Sequence, residues 1–351
     1  MATSHTRPIP TLSLASPDAE RTATGVRGLA KATGYSVATI SRVINGADNV
    51  SHGTRALVEA AIAAVGFQPN YAARALSTQR TRTIGAVIPT LAHSIFATFL
   101  NAIERELATH GYALIIATAG GDPKNELLRA RALIDLGAEG LIVSGAARDP
   151  RFKQLLAGGR LPVVVTSFFD RRNPIPTIGY DNRALGRDAI RHLRDLGHRN
   201  VAVLHGPRNN NDRTRLRLAG VRAAAGDCQV SFIECALDAV GGAHGALRAL
   251  ELHPRCTAML CLSDVLALGA VFEARRTGLH VPLQLSIMGF DDLDWAAVCE
   301  PPLTTLHLPT AEMGAVAARA LVRYLDEGIK IESQALGAAI VIRASTAPPP
   351  R

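Results

Sequence analysis

The sequence predicts two kinds of structure in one chain: a small all-α segment, followed by a large α/β region built from two parallel-sheet halves. Before Phe67, three short amphipathic stretches lie close together and are separated by turn residues. From Thr83 onward, apolar strand-like runs alternate with amphipathic helical stretches, a pattern typical of parallel sheets. At 351 residues the chain also exceeds the size of one ordinary compact core.

The three N-terminal stretches predict a helix-turn-helix. The first, residues 26–33, is a short helix that Gly34 ends. The third begins at Ser51, whose hydroxyl can cap a helix, and ends at Gly66. Its expected buried stripe consists of Leu57, Val58, Ala61, Ile62 and Val65. Three short helices with a tight turn between the first two form this motif.

The second stretch separates apolar from polar side chains on a helical wheel. One side carries Val37, Ile40, Val43 and Ile44, and the other carries Ala38, Ser41, Arg42 and Asn45. The polar side offers a small residue, a hydroxyl, a guanidinium and an amide, which are groups that contact base edges in the major groove. Taken alone, the stretch also fits an ordinary surface helix with a solvated polar face.

Charge is concentrated in the same part of the chain. The formal net charge is +8 and the isoelectric point is near 9.6. Residues 1–82 contain nine basic and four acidic side chains, so they hold +5 of that excess. A basic N-terminal part of this kind is expected if it meets phosphates.

The large region contains seven apolar runs that predict buried strands. They are residues 84–88, 113–117, 140–143, 162–165, 201–204, 258–261 and 285–290. Helices are expected near residues 96–110 and 126–136. Two halves of this type, with a cleft outside the carboxyl ends of the strands, form a ligand-binding architecture.

Several other classes of protein are disfavoured. The five cysteines form no CxxC pair and have no zinc-like spacing to histidine, so we expect reduced, mostly buried thiols and no metal. Residues 1–21 lack the apolar centre of a signal peptide and are expected to be a disordered tail. Because no apolar run reaches about 18 residues, we expect no membrane span and a cytoplasmic protein.

Enzymatic signatures are also missing from the sequence. It contains no Walker or dinucleotide glycine fingerprint, no GxSxG elbow and no HExxH helix. Residues 120–123 are turn chemistry after a strand, and neither His205 nor the Asp291–Asp292 pair has a nucleophile or metal constellation beside it. We therefore expect no catalytic activity and no cofactor.

One family accounts for these features together. Residues 29–46, 50–51, 54–55, 66–70 and 72–76 resemble, in residue type and spacing, the DNA-binding headpiece of the lactose/galactose repressor (LacI/GalR) family of transcriptional regulators. The resemblance continues through residues 82–85 nearly to the C-terminus. It implies an all-α helix-turn-helix headpiece plus an α/β periplasmic-binding-protein-like effector domain of two parallel-sheet lobes.

The resemblance implies roles for the headpiece residues. Val37, Ala38 and Arg42 match positions that read bases, whereas Thr39, Ser41 and Asn45 match positions near the DNA backbone or bracing the helix. Residues 70–77 resemble the family's hinge helix, in which Ala73 accompanies Leu76, the match to a leucine that enters the minor groove. Simple packing of Leu76 against the headpiece, and a solvated Arg42, are the duller alternatives.

In the effector domain, the resemblance implies a pocket that contains Phe96, Arg217, Ser263 and Asp291. Arg217 is the family's ligand-binding arginine, and Asp291 accepts hydrogen bonds from effector hydroxyls. The chain is expected to cross between the lobes near residues 177–181, 306–309 and 328–334. Asp264 is expected to cap its helix rather than touch ligand, and an ion pair between Arg217 and Asp291 is an open alternative.

Four positions depart from the family pattern. Gly25 stands at the usual threonine cap of the first helix and Gly28 at a usual aspartate, which weakens that helix. Ser263 stands where asparagine is common. His93 begins a His-Ser-Ile-Phe sequence in place of Asn-Pro-aromatic-aromatic, and His93 itself could be only a polar residue at the cleft edge.

These observations predict a ligand-responsive DNA-binding transcriptional regulator, most commonly a repressor. We expect a homodimer on pseudo-palindromic operator DNA and a small polar effector, such as a sugar or sugar acid. An activator, or a regulator that needs a purine-type corepressor, has the same architecture; a solute-binding protein is the distant alternative. Because no leucine heptads precede the final Pro-Pro-Pro-Arg, a tetramer is not expected.

The expected domain boundaries follow. They are a tail at 1–23, a helix-turn-helix domain at 24–69, a hinge helix and linker at 70–82, an effector-binding and dimerisation domain at 83–346, and a C-terminal tail at 347–351.

Overall fold

The computed structural model describes residues 25–44, 49–67, 79–156 and 161–350. The chain divides into two compact units, residues 1–81 and 82–351. The expected tail, the hinge helix, and the individual residues Asn45, Ala73 and Leu76 lie outside the described residues.

The small unit contains three helices, α1 (Val26–Thr33), α2 (Val37–Ile44) and α3 (His52–Ala64). Gly34 ends α1 in the left-handed region at φ +74°, and its N–H donates to the Ala30 carbonyl. The Ser51 hydroxyl accepts from the Thr54 N–H and caps α3. These predictions are confirmed, and Gly25 stands at the N-cap of α1 without a side-chain bond.

The core of the small unit consists of Leu29, Ile40, Val43 and Val58. One expectation about it was wrong. Leu57 is 56% exposed, because it lies on the outer edge of α3 beside the buried Val58. Val37, on the apolar side of the helical wheel, is 47% exposed in the first turn of α2.

In the large unit, six parallel strands form the first sheet. They are β1 (Thr83–Ile88), β2 (Ala113–Thr118), β3 (Gly140–Ser144), β4 (Val163–Thr166), β5 (Thr177–Gly179) and β11 (Gln334–Ala335). Their order is β11-β5-β4-β3-β1-β2. Helices α4 (Ser94–Thr109), α5 (Pro123–Asp135), α6 (Phe152–Leu156) and α11 (Thr310–Glu327) accompany this sheet and complete the first lobe.

The second lobe contains a four-stranded parallel sheet in the order β7-β6-β8-β9. Its strands are β6 (Asn200–His205), β7 (Gln229–Glu234), β8 (Ala258–Cys261) and β9 (Ser286–Met288). Its helices are α7 (Asn182–Asp195), α8 (Asp212–Ala224), α9 (Ala239–Leu252) and α10 (Asp264–Arg276), with a short 3-10 helix at Asp294–Ala297. The sequence therefore predicted two parallel-sheet lobes correctly.

The chain crosses between the lobes three times. It leaves the first sheet after β5 and returns through β10 (Thr305–His307) into α11, as expected. The third crossing was placed too early, because β11 still pairs with β5 and the Leu336 N–H donates to the Gly179 carbonyl. The chain crosses just after this point, where β12 (Ala339–Val341) pairs antiparallel with β10.

The remaining findings concern the described residues only. All five cysteines are free thiols, and Cys228, Cys256 and Cys261 are buried. No described helix combines the length and apolarity needed to cross a bilayer.

Candidate ligand-binding cleft and nucleic-acid interface

A cavity of about 380 Å³ lies within the large unit, with walls from both lobes. Phe96, His93, Ser167 and Tyr180 line it from the first lobe and the segment that leaves it. The second lobe contributes Arg213, Arg217, Ser263 and Asp291, among others. All four residues that the sequence analysis placed in the pocket, Phe96, Arg217, Ser263 and Asp291, therefore line one cavity.

Arg217 lies on α8 with its side chain buried. Its Nε donates to Asn182 Oδ1 at 2.9 Å and its Nη1 to the Leu262 carbonyl at 3.0 Å. The guanidinium carbon also lies 3.8 Å from the centroid of the Phe290 ring. Burial lowers the pKa of Arg217, while Tyr180 and Asp291 raise it. These contacts fix the direction of the guanidinium; the structure forms no Arg217–Asp291 ion pair.

Close packing of two helices holds Arg217 in place. Gly186 on α7 faces the Arg217 carbonyl, and a Cβ at position 186 would lie 2.1 Å from that oxygen. Gly220 on α8 approaches α7 equally closely, since its Cβ would lie 1.9 Å from the Arg183 carbonyl oxygen. Only glycine permits this separation of the two backbones.

Asp291 follows β9 with a φ of +131°, outside the range that side chains usually adopt. Its Oδ2 accepts from the Ser263 hydroxyl at 2.9 Å, and its N–H donates to the Leu306 carbonyl. Burial raises the pKa of Asp291 to about 7, against the opposing effect of Arg217. The group is therefore a mixture of carboxylate and carboxylic acid near neutral pH, and it can accept or donate a hydrogen bond to ligand.

The sequence predicted that Asp264 caps its helix, and this prediction was wrong. Ser263 occupies the N-cap position of α10, and Asp264 is the first residue of the helix. The Asp264 carboxylate instead accepts from the Thr305 hydroxyl at 2.5 Å and from the Leu293 N–H at 2.8 Å. It is fully buried and lies outside the cavity wall. Asp264 thus holds the loop that carries Asp291 against β10. Its position outside the cavity wall agrees with the prediction that it does not touch ligand.

The aromatic side of the cavity comes from the start of α4. His93 is the N-cap of this helix but makes no side-chain cap bond. Burial lowers the pKa of His93, so its ring is neutral near pH 7. Phe96, in the first turn of the helix, is partly buried and lines the cavity together with the buried Tyr180.

Sequence reasoning missed several lining residues. They are Ser167, Tyr180, Asn209, Asn210, Asn211, Arg213 and Thr214. Ser167 lies just beyond β4 and Tyr180 just beyond β5, and the other five lie in the loop after β6 or in the first turn of α8, which that loop leads into. Ligands bind at that edge of an open parallel sheet, so position after a strand was the signal that could have identified them.

On the small unit, α2 presents a separate polar face. Val37, Ala38 and Arg42 are exposed, and Thr39 and Ser41 are partly buried. The Thr39 N–H donates to the Ser36 hydroxyl at 3.1 Å, a bond that caps the helix. Since Ile40 and Val43 are buried beneath this face, α2 is anchored while its outer residues remain accessible.

A helix-turn-helix unit with an accessible second helix, joined in one chain to a two-lobed domain with a polar interlobe cavity, defines a ligand-responsive class of DNA-binding regulator. Comparison with known proteins gives the family. Residues 27–70 match the profile of bacterial regulatory proteins of the lacI family, and residues 190–346 match that of the periplasmic binding protein-like domain.

Relatives match along almost the whole chain. The transcriptional repressor CytR of Escherichia coli K12 is 30% identical over 335 residues, covering 93% of this chain and 97% of CytR. A transcriptional regulator of Streptomyces limosus is 34% identical, covering 89% of this chain and 91% of the relative. The chain belongs to the lacI family of transcriptional regulators, which bind DNA; it is a regulator and not an enzyme.

Solved structures agree with this assignment. The lac repressor dimer bound to operator and the anti-inducer ONPF superimposes with a TM-score of 0.83 at 27% identity, covering 92% of this chain and 99% of that one. The regulator GntR from Chromobacterium violaceum gives a TM-score of 0.71 at 32% identity, covering 75% and 99%. The match over residues 27–70 excludes a protein that only binds solutes.

Proposed function

We propose that the protein is a transcriptional repressor that binds a pseudo-palindromic operator as a homodimer in the cytoplasm. A small polar effector, a sugar or a sugar acid, binds in the interlobe cavity and controls the affinity for operator. One observation carries the proposal: the cavity takes its polar wall from the second lobe, with Arg217 and Asp291, and its aromatic wall from Phe96 of the first.

A ligand between two lobes can act as a switch. It contacts both walls only at one lobe separation, so it has different affinities for the open and closed arrangements. A ligand shifts the equilibrium between these two arrangements only through this difference in affinity. If the two arrangements also differ in their affinity for DNA, ligand binding changes the affinity for operator.

For the DNA, we propose that Val37, Ala38 and Arg42 contact bases and that Thr39, Ser41 and Asn45 contact the backbone or brace the helix. The exposure of the first three residues supports this division. One short helix reads too few base pairs for a specific site, so two copies on paired half-sites are expected. The lac repressor, whose structure this chain resembles, binds its operator as a dimer.

The hinge positions Ala73 and Leu76 remain a proposal based on the family resemblance. We propose that Leu76 enters the minor groove beside Ala73 and bends the DNA. For Leu76→Ala we expect weaker operator binding, with an unchanged melting transition of the effector domain. Unchanged operator affinity would remove the minor-groove role.

The experiment that tests the effector site is a thermal-shift screen of sugars, sugar acids and nucleobases with the full-length protein. An effector present at 100 times its Kd stabilises the folded state by about 2.7 kcal/mol. We expect this stabilisation to disappear in Arg217→Ala. A ligand that stabilises Arg217→Ala as strongly as wild type binds elsewhere and contradicts the site.

A further inference from the structure

A second arginine, Arg213, faces the cavity on the same helix as Arg217. The two are four residues apart on α8, so they lie on one face of the helix. Arg213 reaches across the cleft, and its Nη1 donates to Ser144 Oγ, at the end of β3 in the first lobe, at 3.1 Å. The Ser144 hydroxyl is in turn 3.1 Å from that of Ser167, another lining residue. Two guanidinium groups and the Ser167 hydroxyl therefore line the cavity, and Ser144 contacts both Arg213 and Ser167.

Neither guanidinium forms a direct ion pair among the described residues, although Asp291 is near enough to Arg217 to raise its pKa. By contrast, two other arginines with mostly buried side chains form ion pairs, Arg148 with Glu126 at 3.4 Å and Arg343 with Asp292 at 2.7 Å. Arg217 is buried and Arg213 is partly buried. A buried guanidinium without a contacting carboxylate is costly, even when hydrogen bonds satisfy some of its donors as they do for Arg217. An anionic group on the ligand would supply the direct contact that both guanidinium groups lack.

Two acidic residues near Arg213, Asp212 and Glu126, lie outside the cavity wall and have contacts of their own. Asp212 accepts from the Ala146 N–H at 2.9 Å. Glu126 pairs with Arg148, and burial raises its pKa to about 7. Among the described residues that line the cavity, Asp291 is the sole carboxylate, and it is partly protonated near neutral pH. The balance of charge facing the ligand is therefore positive.

The start of α4 adds to this potential. The helix has 16 residues and begins at the cavity wall, with no side-chain cap and no acidic residue in its first turn. A helix N-terminus of this length favours a nearby anion.

We propose that the effector is an anion, a small polyol bearing a carboxylate or phosphate group that binds between Arg213 and Arg217. This inference rests on the proposed function and names the ligand class of the same cavity. The charged group replaces or supplements the Arg213–Ser144 bond, so it links the two lobes directly. The hydroxyls of the polyol then face Asp291 and the asparagine loop, Asn209, Asn210 and Asn211.

Matched pairs of compounds test the proposal on the full-length protein at constant ionic strength. The pairs are gluconate with glucitol and glucose 6-phosphate with glucose, and inorganic phosphate serves as the minimal anion. Because hydrogen bonds to a charged group contribute about 1.5–3 kcal/mol, we expect binding to be at least about tenfold tighter for the charged member of a pair that binds. We expect the melting temperature of the wild-type protein to be higher in phosphate than in chloride of the same ionic strength.

Three variants assign the effect to Arg213. Arg213→Gln keeps an amide that can reach Ser144 but removes the charge, and it should lose both the preference for charged members and the phosphate stabilisation. Arg213→Lys should retain part of each. Arg215→Gln is the matched control, since Arg215 is exposed on the same helix, and it should behave as wild type.

Several results would overturn the anion proposal. They are equal or tighter binding of the neutral compounds, the same phosphate effect in Arg213→Gln and Arg215→Gln, or no stabilisation by any anion. A neutral sugar that binds and changes operator affinity would overturn this proposal and leave the proposed function standing. An operator affinity that responds to no ligand bound in the cleft would contradict the proposed function itself.

Discussion

Arg42 and Ile40 are two residues apart on α2 but have different surroundings. Ile40 is fully buried in the three-helix core, whereas Arg42 is exposed on the face proposed to meet DNA. The packing of Ile40 fixes the helix, so the position of the Arg42 side chain is set by the fold. This arrangement is what a base-reading arginine requires, because bidentate contact with guanine depends on orientation.

For Arg42→Ala, we expect the base preference at one half-site position to relax by about 1–3 kcal/mol, because a bidentate contact is lost. Binding to a panel of duplexes that differ at single positions measures this effect. Arg27→Ala, at an exposed arginine of α1, is the control and should leave base preference unchanged. A uniform loss of affinity across all duplexes would instead show that Arg42 contacts phosphate.

Asp291 makes stability depend on pH. Its pKa is raised from the ordinary value of 3.8 to about 7 by burial, so the folded state holds this proton more tightly than the unfolded state does. The resulting stability is fully present below about pH 4 and is lost as pH rises towards 7. Glu126, whose pKa is also raised to about 7, contributes in the same direction.

We therefore expect Asp291→Asn to show a weaker fall in the free energy of unfolding between pH 4 and pH 7 than wild type. Urea denaturation across that pH range measures the difference. Adding Glu126→Gln should weaken the dependence further, because it removes the second group of this kind. Parallel curves for wild type and Asp291→Asn would contradict the pKa shift.

At the residue scale, the sequence predicted best where a motif determines position. The four predicted pocket residues line one cavity because each belongs to a short motif at a strand or helix end. The role of Asp264 was not predictable, since its partners Leu293 and Thr305 are distant along the chain and only the fold brings them together. Arg213 was missed for the same reason, because its importance depends on Ser144 in the opposite lobe.

Among the elements, the pair α7 and α8 has the closest link to the site. Gly186 and Gly220 let the two backbones approach, and the carbonyl that Gly186 faces belongs to Arg217. A change in helix separation therefore moves the backbone of a ligand-contacting residue.

For Gly186→Ala, we expect a loss of stability of about 1–3 kcal/mol from overpacking, together with weaker effector binding. Gly337→Ala is the matched control, because a Cβ there meets nothing within 4 Å. Denaturation curves and ligand titrations of both variants measure these effects. Equal stability of the two variants would show that α7 and α8 are not held together as closely as the structure indicates.

In the two parallel sheets, the strands that sequence patterns did not predict are the short ones, β5 and β11, and the edge strand β7. β5 has three residues and β11 has two, too few for a periodic pattern. β7 lies at the edge of its sheet and is mostly incompletely buried, so it lacks the continuous apolar run of the central strands. The third crossing between the lobes was predicted too early for the same reason, because its position depends on the pairing of the short strand β11 with β5.

At the scale of the whole molecule, the alternation of strands and helices predicted both lobes. Each central strand is a buried apolar run, and such runs are visible in the sequence alone. The ligand class was not visible, because it depends on which side chains from two lobes meet in one cavity. Three segments connect the two lobes, and this arrangement is the one that the proposed change in lobe separation requires.

The most direct test of this account is the affinity for operator with and without effector. A duplex selected from a random pool by the full-length protein provides the operator, and fluorescence anisotropy measures its Kd. With a ligand that binds the cleft, the account predicts a change in this Kd of about 5–150-fold for wild type and none for Arg217→Ala at the same ligand concentration. A wild-type Kd that stays the same with every ligand bound in the cleft would contradict it.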